Sequence, residues 1–414
     1  MELKELVVRT RNVAESEEIK IISRIKPSYF TRERKMTFRD LVYYILHPGK
    51  ESTQLGLHRF FGLLGRREQA MSEQAFSKAR GHFNHLPFET MVRETTELQY
   101  SGEEKTARWQ GRYLFAVDGT TLALPDKPSL CKKFGASGRK KDSATANVSL
   151  LYDIENDWIA DAAIEPYPTS EKMMALSHLD RLVELGIAKE SLVLFDRGYP
   201  EEKLISRLTG DEIGFLMRCR RKFNPVADET LSNDFTMLLK GKVPVRVIKL
   251  TLPTGETELL LTNLFELPYE EFQALYFKRW PIETKYDILK NKLELGNFTG
   301  YSPNAILQDF WTCIHLANIV ATARAEANAL LQTKQKNSQN LHCYVPNTAQ
   351  LVGSLKDHFI KICFLHNTAR RNRAIDSMVA EISRAVSPIR PGRSFWRNPW
   401  PRKAKFCFNA KSNI

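Results

Sequence analysis

Residues 276–290 read YFKRWPIETKYDILK and combine a carboxylate, an ammonium, a guanidinium and a phenol in one short segment. Because residues seven apart return to the same face of an α-helix, Glu283 and Lys290 are predicted to share one face. Tyr276 and Arg279 lie just before the helix, on the approach to that face. A carboxylate can hold a hard cation, and a guanidinium can hold two phosphate oxygens at once. The stretch therefore predicts either a metal- and phosphate-binding segment or an ordinary amphipathic helix with an acid–base pair.

Two apolar runs upstream each lead directly into an aspartate. YLFAV at 113–117 precedes Asp118, and SLVLF at 191–195 precedes Asp196. Short continuous apolar runs of this kind are typical of strands that are buried on both faces. A carboxylate at a strand end often only forms a turn or caps a helix. Two such aspartates together with Glu283, however, make the oxygen donor set that a pair of Mg²⁺ ions needs, so these three are the candidate catalytic and metal-binding residues.

Between and after these strands the pattern predicts further α/β elements. NVSLLYD at 147–153 and DWIADAAI at 157–164 are separated by a turn and predict a β-hairpin. A helix is predicted over 170–185, because a serine begins it and a glycine follows it. VPVRVIKLTL at 243–252 and TELLLTNL at 257–264 predict a second hairpin. The fold class is therefore α/β, with a β-rich stretch inserted before the segment that carries Tyr276.

The spacing within 276–290, Tyr-x2-Arg-x3-Glu-x6-Lys, resembles without departure the signature of DDE transposases of the insertion-sequence-four type. Asp118 in AVDGT and Asp196 in DRGY resemble the first and second aspartates of that family. The resemblance implies an RNase H-like catalytic domain with Mg²⁺ as cofactor and Mn²⁺ as its substitute. It also implies double-stranded DNA as partner, both at the transposon ends and at the target, and a homodimer in a synaptic complex.

The same resemblance gives the basic residues their expected roles. Tyr276, Arg279 and Lys290 would hold the phosphates of the transposon end. Arg197 stands next to a candidate metal ligand, Asp196, and is a further candidate DNA contact. Their side chains are those that proteins use to bind phosphate oxygens.

The region from 36 to 95 has a helical pattern punctuated by turn residues. Two short helical segments, 52–65 and 72–82, resemble a helix-turn-helix in which the second helix reads DNA. In that second helix Lys78 and Arg80 are predicted to face outward and to contact DNA. A small helical bundle with a basic face is the competing interpretation, since the joining turn is longer than usual.

The chain is predicted to contain a helical N-terminal DNA-binding domain, an RNase H-like domain interrupted by the β-rich insertion, and a helical, basic C-terminal region. The predicted boundaries are 1–105 for the DNA-binding domain, 110–218 and 267–330 for the two parts of the catalytic domain, 219–266 for the insertion, and 331–414 for the C-terminal region with its basic tail.

Composition and charge favour some classes of protein and disfavour others. The formal net charge of +13 favours a polyanionic partner, nucleic acid first. Six scattered cysteines without a Cys-x-x-Cys pair make a zinc site or a disulfide framework an unfavoured interpretation. The sequence lacks both an apolar run of transmembrane length and a signal-peptide pattern at its start, so a cytoplasmic protein is expected. Residues 387–414 carry seven basic side chains and no acid, which predicts either an arm along DNA phosphates or a disordered solubilising end.

The predicted function is that of a transposase that binds terminal inverted repeats and performs metal-dependent strand cleavage and strand transfer. A catalytically inactive or repurposed transposase acting as a DNA-binding protein is one alternative, and an RNase H-like nuclease is another. The presence of all three acids favours an active transposase. A glycosidase also uses paired carboxylates, but that activity leaves Arg279, Lys290 and the charge of +13 unexplained.

Overall fold

A computed structural model describes residues 1–32, 34–47, 52–102, 106–138, 142–220, 223–251, 255–335 and 343–390. The chain divides into two compact units, each assembled from separate segments. Unit 1 comprises Met1–Thr95, Ala123–Lys133 and Ile288–Ile414, and unit 2 comprises Thr96–Leu122 and Phe134–Asp287. The stretch predicted as the second catalytic segment, 267–330, is thus divided between the units at Asp287. The basic tail predicted at 387–414 lies outside the described residues from position 391 onward.

The α-helices of the described residues are α1 (Leu3–Glu15), α2 (Glu17–Ser23), α3 (Phe38–Leu46), α4 (Thr53–Leu63), α5 (Glu73–Arg80), α6 (Leu86–Tyr100), α7 (Pro128–Phe134), α8 (Glu171–Glu184), α9 (Glu202–Gly210), α10 (Pro225–Glu229), α11 (Glu271–Phe277), α12 (Pro281–Asp287), α13 (Pro303–Gln335), α14 (Thr348–Phe364) and α15 (Thr368–Ile382). Short 3-10 turns cover Arg67–Gln69 and Ala188–Glu190, and a π-helical segment covers Ile288–Lys292.

The strands of the described residues are β1 (Tyr113–Ala123), β2 (Ala136–Ser137), β3 (Ser143–Asp153), β4 (Trp158–Pro166), β5 (Ser191–Phe195), β6 (Gly214–Cys219), β7 (Asp234–Leu239), β8 (Val243–Thr251), β9 (Thr257–Thr262), β10 (Tyr344–Pro346) and β11 (Val386–Pro388). The first nine form one mixed sheet in the order β2-β3-β1-β5-β6-β9-β8-β7, with β4 paired to β3. The last two form a separate antiparallel pair in unit 1.

The parallel part of the sheet comes from the two apolar runs that end near an aspartate. β1 pairs in parallel with β5, and β5 in turn pairs in parallel with β6. Every residue of β5 is buried, as a strand with neighbours and packing on both sides requires. β1 is longer than the predicted 113–117, because it runs on beside β3 after its pairing with β5 has ended. Asp118 therefore lies within β1 and not after it.

Both predicted hairpins are confirmed, as β3–β4 and β8–β9. The stretch predicted as a separate β-rich insertion is continuous with the main sheet, because β9 pairs with β6 from Leu216 with Thr262 onward. The pattern missed β7 and the short helix α10 in the same stretch. The helix predicted over 170–185 is confirmed as α8, with Ser170 as its N-cap and Gly186 at a φ of 70° just beyond its end.

Unit 1 is built around the 33-residue helix α13, which is about 50 Å long at 1.5 Å per residue. Helices α1, α3, α14 and α15 all contact it. Four of its large apolar side chains, Phe310, Trp311, Ile314 and Val320, are buried. Across the described ranges, no helix combines the length and the apolar character that a membrane crossing would need.

Candidate active site

Two aspartates stand side by side where the pairing of two neighbouring parallel strands ends. The register of β1 with β5 runs from Tyr113 opposite Ser191 to Val117 opposite Phe195. Asp118 and Asp196 are the next residues of their strands, and adjacent strands are about 4.8 Å apart. Both side chains line one open cleft of about 720 Å³ in unit 2. The sequence prediction that these two acids meet is therefore supported by the register of the sheet.

Asp118 is half-buried and held from several sides. Its carboxylate accepts the Gly119 N–H at 3.0 Å, and its carbonyl accepts the Tyr286 hydroxyl at 2.8 Å. The Ser149 hydroxyl also donates to that carbonyl, at 3.3 Å. Burial raises the pKa of the Asp118 carboxyl to about 6, because the charged form loses solvation. The nearby carboxylates Glu171 and Asp196 add to this rise, whereas the Gly119 N–H and the Arg279 guanidinium oppose it.

The backbone of Asp118 rests on a buried polar chain that sequence reasoning missed. His178 has one ring nitrogen 3.0 Å from the Ser149 hydroxyl and the other 2.7 Å from Asp161. Ser149 and His178 have no solvent exposure. Because every member has a partner, this chain fixes the edge of β1 and β3 on which Asp118 stands.

The residues of the signature stretch contact the aspartates from α11 and α12. The Tyr276 hydroxyl donates to Asp196 at 3.2 Å. Arg279 donates to Glu283 at 2.9 Å, one helical turn apart. Burial and the charge of Asp196 raise the pKa of the Tyr276 phenol. Burial opposes a charged guanidinium, yet Tyr276, Glu283, Asp196 and Asp118 together raise the pKa of Arg279.

Arg279 is buried but incompletely paired. Its residue is 8% exposed, and its Nε has no hydrogen-bond partner within the described residues. A buried donor without a partner costs about 1–3 kcal/mol. Such a donor next to Asp118, Asp196 and Glu283 marks a place where a further acceptor is expected, and a phosphate oxygen fits it.

Lys290 is placed differently from the prediction. The α-helical pattern ends at Asp287, and Lys290 follows in the π-helical segment Ile288–Lys292, which belongs to unit 1. A π-helical turn contains more residues than an α-helical turn, so the expectation of one α-helical face from Glu283 to Lys290 is wrong. The role of Lys290 as a phosphate contact stays a prediction.

The other predicted DNA contacts include two exposed side chains, one in each unit. Arg197 is exposed and lines the cleft beside Asp196. Lys78 is exposed and lines a groove of about 1310 Å³ in unit 1. Both remain candidates for contact with phosphate.

Arg80 is a correction. It was predicted to face outward, but it is 3% exposed and its guanidinium points into unit 1. It donates to Gln308 at 2.6 Å, to the Ala305 carbonyl at 2.9 Å and to Asp309 at 2.7 Å, and it also binds Thr299. The pattern failed because the long basic side chain was assumed to be solvated, whereas α13 supplies buried acceptors for it.

Glu171, the first residue of α8, is an acid of the site that sequence reasoning missed. It lines the same cleft as Asp118 and Asp196. The hydroxyl of buried Tyr199 also faces these three carboxylates, which together with burial raise its pKa well above the usual range. The sequence carries no signal that marks Glu171, because its position beside Gly119 and Gly198 depends on segments that are far apart in the chain.

The donor set suits a hard divalent cation, since Asp118 and Asp196 place carboxylate oxygens at adjacent strand ends. In the part of the chain that the structure describes, no group of three or more Asp, Glu, His or Cys side chains is gathered closely enough to hold a metal ion. Glu283 is engaged by Arg279 instead. The first two acids fit a metal site as they stand, and the third would have to exchange its partner.

Comparison with known proteins matches this chain to a transposase family and to individual transposases. The family described as Transposase DDE domain matches residues 109–319, just over half of the chain. "Putative transposase InsZ" of Escherichia coli (strain K12) is 29% identical over 142 residues, 33% of this chain and 46% of that protein. "Putative transposase y4zB" of Sinorhizobium fredii is 26% identical over 258 residues, 56% of this chain and 67% of that protein.

A third relative, "Putative transposase for insertion sequence element IS4SA" of Synechocystis sp., is 28% identical over 135 residues, 30% of this chain and 39% of that protein. The chain thus spans less than half the length of two of these three relatives. A cryo-EM structure of the piggyBac transposase synaptic complex with hairpin DNA has a TM-score of 0.48 and 11% identity over 94% of this chain and 87% of that chain, which is too low to support a conclusion.

Proposed function

The chain belongs to the Transposase DDE domain family, and on that premise we propose that it is a DNA transposase of an insertion sequence. It would bind the terminal inverted repeats of its element and carry out metal-dependent strand cleavage and strand transfer. The observation that carries the proposal is the position of Asp118 and Asp196, which follow the last paired residues of parallel β1 and β5 and share a cleft.

Asp118, Asp196 and Glu283 are the residues proposed to hold Mg²⁺, with Mn²⁺ as a substitute. Their carboxylate oxygens are the donors that such ions prefer. When bound, a pair of such ions activates a water and stabilises the leaving oxygen in an in-line phosphoryl transfer. The raised pKa of Asp118 supports this assignment, because burial leaves its negative charge without enough solvation, and a cation would restore it.

Arg279 and Glu283 supply a link between DNA binding and the completion of the site. Arg279 now pairs with Glu283 at 2.9 Å and has one donor to spare at Nε. A phosphate group offers the guanidinium two acceptors in a forked contact, which Lys cannot match. We propose that a DNA phosphate takes Arg279 from Glu283 and so releases the third acid toward Asp118 and Asp196.

Tyr276 has a positioning role in this scheme. Its hydroxyl donates to Asp196 and so orients that carboxylate at the strand end. Arg197 and Lys290 are proposed as further phosphate contacts, the first because it is exposed and lines the cleft.

Unit 1 carries the proposed DNA-binding surface. A groove of about 1310 Å³ there is lined by more basic than acidic side chains: Lys20, Arg32, Arg34, Lys35, Arg39 and Lys78 against Glu15 and Glu17. Helix α5 contributes Lys78 to this groove. Positive charge along a groove is the general requirement for binding the phosphates of duplex DNA.

Three finer statements belong to the same proposal. The hairpin β3–β4 beside β1, followed by parallel β5 and β6, supports an RNase H-like catalytic domain. Two transposon ends have to be cut, which favours a homodimer in the synaptic complex. A protein that acts on a bacterial chromosome works in the cytoplasm.

Cleavage of a labelled duplex that carries the flanking ends of the element tests the proposal. Mg²⁺-dependent cleavage by the wild type is expected, with loss in Asp118→Asn, Asp196→Asn and Glu283→Gln and retention of DNA binding. Asp180→Asn is the matched control, since Asp180 is an exposed acid of α8 that binds Arg207 and lies outside the cleft residues. Cleavage that survives all three site substitutions would overturn the proposal.

A further inference from the structure

Glu171 lies between the two aspartate motifs, close to a glycine of each. A methyl group at position 119 would lie 2.7 Å from Glu171 Oε1, and one at position 198 would lie 3.8 Å from Glu171 Oε2. Gly119 directly follows Asp118, and Gly198 follows Asp196 by two residues. The two oxygens of the Glu171 carboxylate therefore each face one of the two aspartate motifs.

At Gly119 the available space is limiting, whereas a side-chain carbon at Gly198 would make an ordinary contact with Glu171. Neither Gly119 nor Gly198 has a φ in the left-handed region, where glycine is favoured. A methyl group at position 119 would come closer to Glu171 than ordinary carbon–oxygen contact allows. The glycine that follows Asp118 thus leaves room for this particular carboxylate.

Tyr199 provides an independent sign that the cleft holds a ligand. The residue is 1% exposed and lines the cleft with Glu171. Its hydroxyl has no hydrogen-bond partner of ordinary geometry in the described ranges, although Ser149 lies near enough to oppose part of its pKa shift. A buried hydroxyl without a partner is unfavourable, because it has lost its hydrogen bonds to water. A group that enters the cleft, such as a hydrated cation or a phosphate, would supply the missing partner.

A merely structural role for Glu171 is less well supported. An acid at the first position of a helix does interact favourably with the helix dipole. That role would not require Gly119 to lack a side chain. Among the residues that the structure describes, the salt bridges of the cleft wall include Arg218 with Glu258 but none that engages Glu171.

We propose that Glu171 is a fourth acidic residue of the metal site, which binds a divalent cation through its water shell while Tyr199 donates to the same hydrated group. This inference rests on the proposed function and deepens it. Its carboxylate would bind, through water, a cation held by Asp118 and Asp196 before DNA arrives, while Glu283 is still paired with Arg279. The first cation would then be held by residues of α8, β1 and the end of β5.

Mn²⁺ binding to the full chain without DNA, followed by electron paramagnetic resonance, tests the proposal without relying on activity. Glu171→Gln keeps the shape of the side chain and removes its charge. We expect its Kd for Mn²⁺ to rise roughly 10–100-fold, the range found when a supporting residue of a metal site is lost. Asp180→Asn, on the same helix, should bind Mn²⁺ like the wild type. Equal Mn²⁺ affinity in Glu171→Gln and the wild type would overturn the inference.

The glycine gives a second variant that does not alter the acid itself. In Gly119→Ala the new methyl group should displace the flexible end of Glu171 and weaken Mn²⁺ binding. Because both changes act through one carboxylate, Gly119→Ala combined with Glu171→Ala should bind no worse than Glu171→Ala alone. Losses of affinity that simply multiply would contradict the proposed contact.

The inference and the proposed function can fail separately. If Asp196→Asn loses Mn²⁺ binding and cleavage while Glu171→Gln keeps both, the function stands and the fourth acid is wrong. If the wild type binds Mn²⁺ through Glu171 but never cuts the flanking ends, the metal site stands and the transposase activity is wrong.

Discussion

Two buried arginines, Arg80 in unit 1 and Arg279 in unit 2, were both predicted to contact DNA. They differ in how many of their hydrogen-bond donors have partners. Arg80 is surrounded by acceptors and donates from Nε and from both terminal nitrogens. Arg279 is almost as buried, at 8% against 3% exposure, but it donates to Glu283 and leaves Nε without a partner in the described residues. Burial alone therefore does not separate a structural guanidinium from a functional one.

The difference lies in how many of the donors are satisfied. A buried charge that is fully hydrogen-bonded stabilises a particular packing, and it has nothing left to offer a ligand. A buried charge with an empty donor is kept at some loss of stability, and sites of that kind are typical of function. On this criterion Arg80 belongs to the core between α5 and α13, and Arg279 belongs to the site.

The largest effect on the free energy of unfolding is expected at Arg80. Arg80→Met should lower the free energy of unfolding by about 3–5 kcal/mol, because it leaves Asp309 without its buried partner. Urea denaturation followed by circular dichroism measures this, and cleavage at low temperature should stay near the wild-type rate per folded molecule. A variant that is as stable as the wild type but binds end DNA weakly would restore the sequence prediction that Arg80 contacts DNA.

At Arg279 we expect the cleavage rate to fall and the stability to stay nearly unchanged. Arg279→Lys should reduce the single-turnover cleavage rate roughly 100–1000-fold, the range for removal of one preorganised donor in an active site. Its free energy of unfolding should change little, since the donor that is lost has no partner in the folded protein. If Arg279→Lys is as destabilised as Arg80→Met and cleaves normally when folded, the two arginines have the same structural role.

The acids of the site should show the same conflict between stability and function. The pKa of Asp118 is raised to about 6 in the folded protein, against an ordinary 3.8, so its ionisation disfavours folding. This penalty grows as the pH rises from about 4 to about 6 and is constant above that, at roughly 2–3 kcal/mol. In EDTA, Asp118→Asn should therefore be more stable than the wild type at pH 7, with the gain nearly absent at pH 4. A gain of equal size at both pH values would show that another interaction is responsible.

The smallest effect on stability is expected at Lys78, which lies on the same helix, α5, as Arg80. Lys78 is exposed two residues before the buried Arg80. Lys78→Ala should leave the unfolding free energy within about 0.5 kcal/mol of the wild type. If Lys78 contacts one phosphate, the slope of log affinity against log salt for end DNA should fall by about 0.9. An unchanged slope would remove Lys78 from the DNA surface.

Local pattern was enough to predict the elements that carry the site. The apolar runs before Asp118 and Asp196 predicted buried strands, and the structure adds that β1 and β5 are neighbours. The serine and glycine around α8 predicted its ends within a residue. These features depend on residues that are close in the sequence, so the sequence contains them.

What was missed depends on contacts between distant segments. The buried state of Arg80 requires acceptors from α13, more than two hundred residues later. The place of Glu171 is visible only once Gly119 and Gly198 are brought beside it. The π-helical turn at Lys290 has no periodic signal of its own, because one extra residue in a turn changes the spacing of apolar residues too little to be recognised.

Substitution of a metal ligand by cysteine tests the central claim most directly. Carboxylates suit Mg²⁺ and Mn²⁺ alike, whereas a thiolate is a poor ligand for Mg²⁺ and is better tolerated by the softer Mn²⁺. Asp118→Cys should therefore cleave end DNA with Mn²⁺ and not with Mg²⁺, while Asp118→Ala cleaves with neither. Cleavage by Asp118→Ala at the wild-type rate in Mg²⁺ would show that Asp118 holds no catalytic metal and would contradict the account.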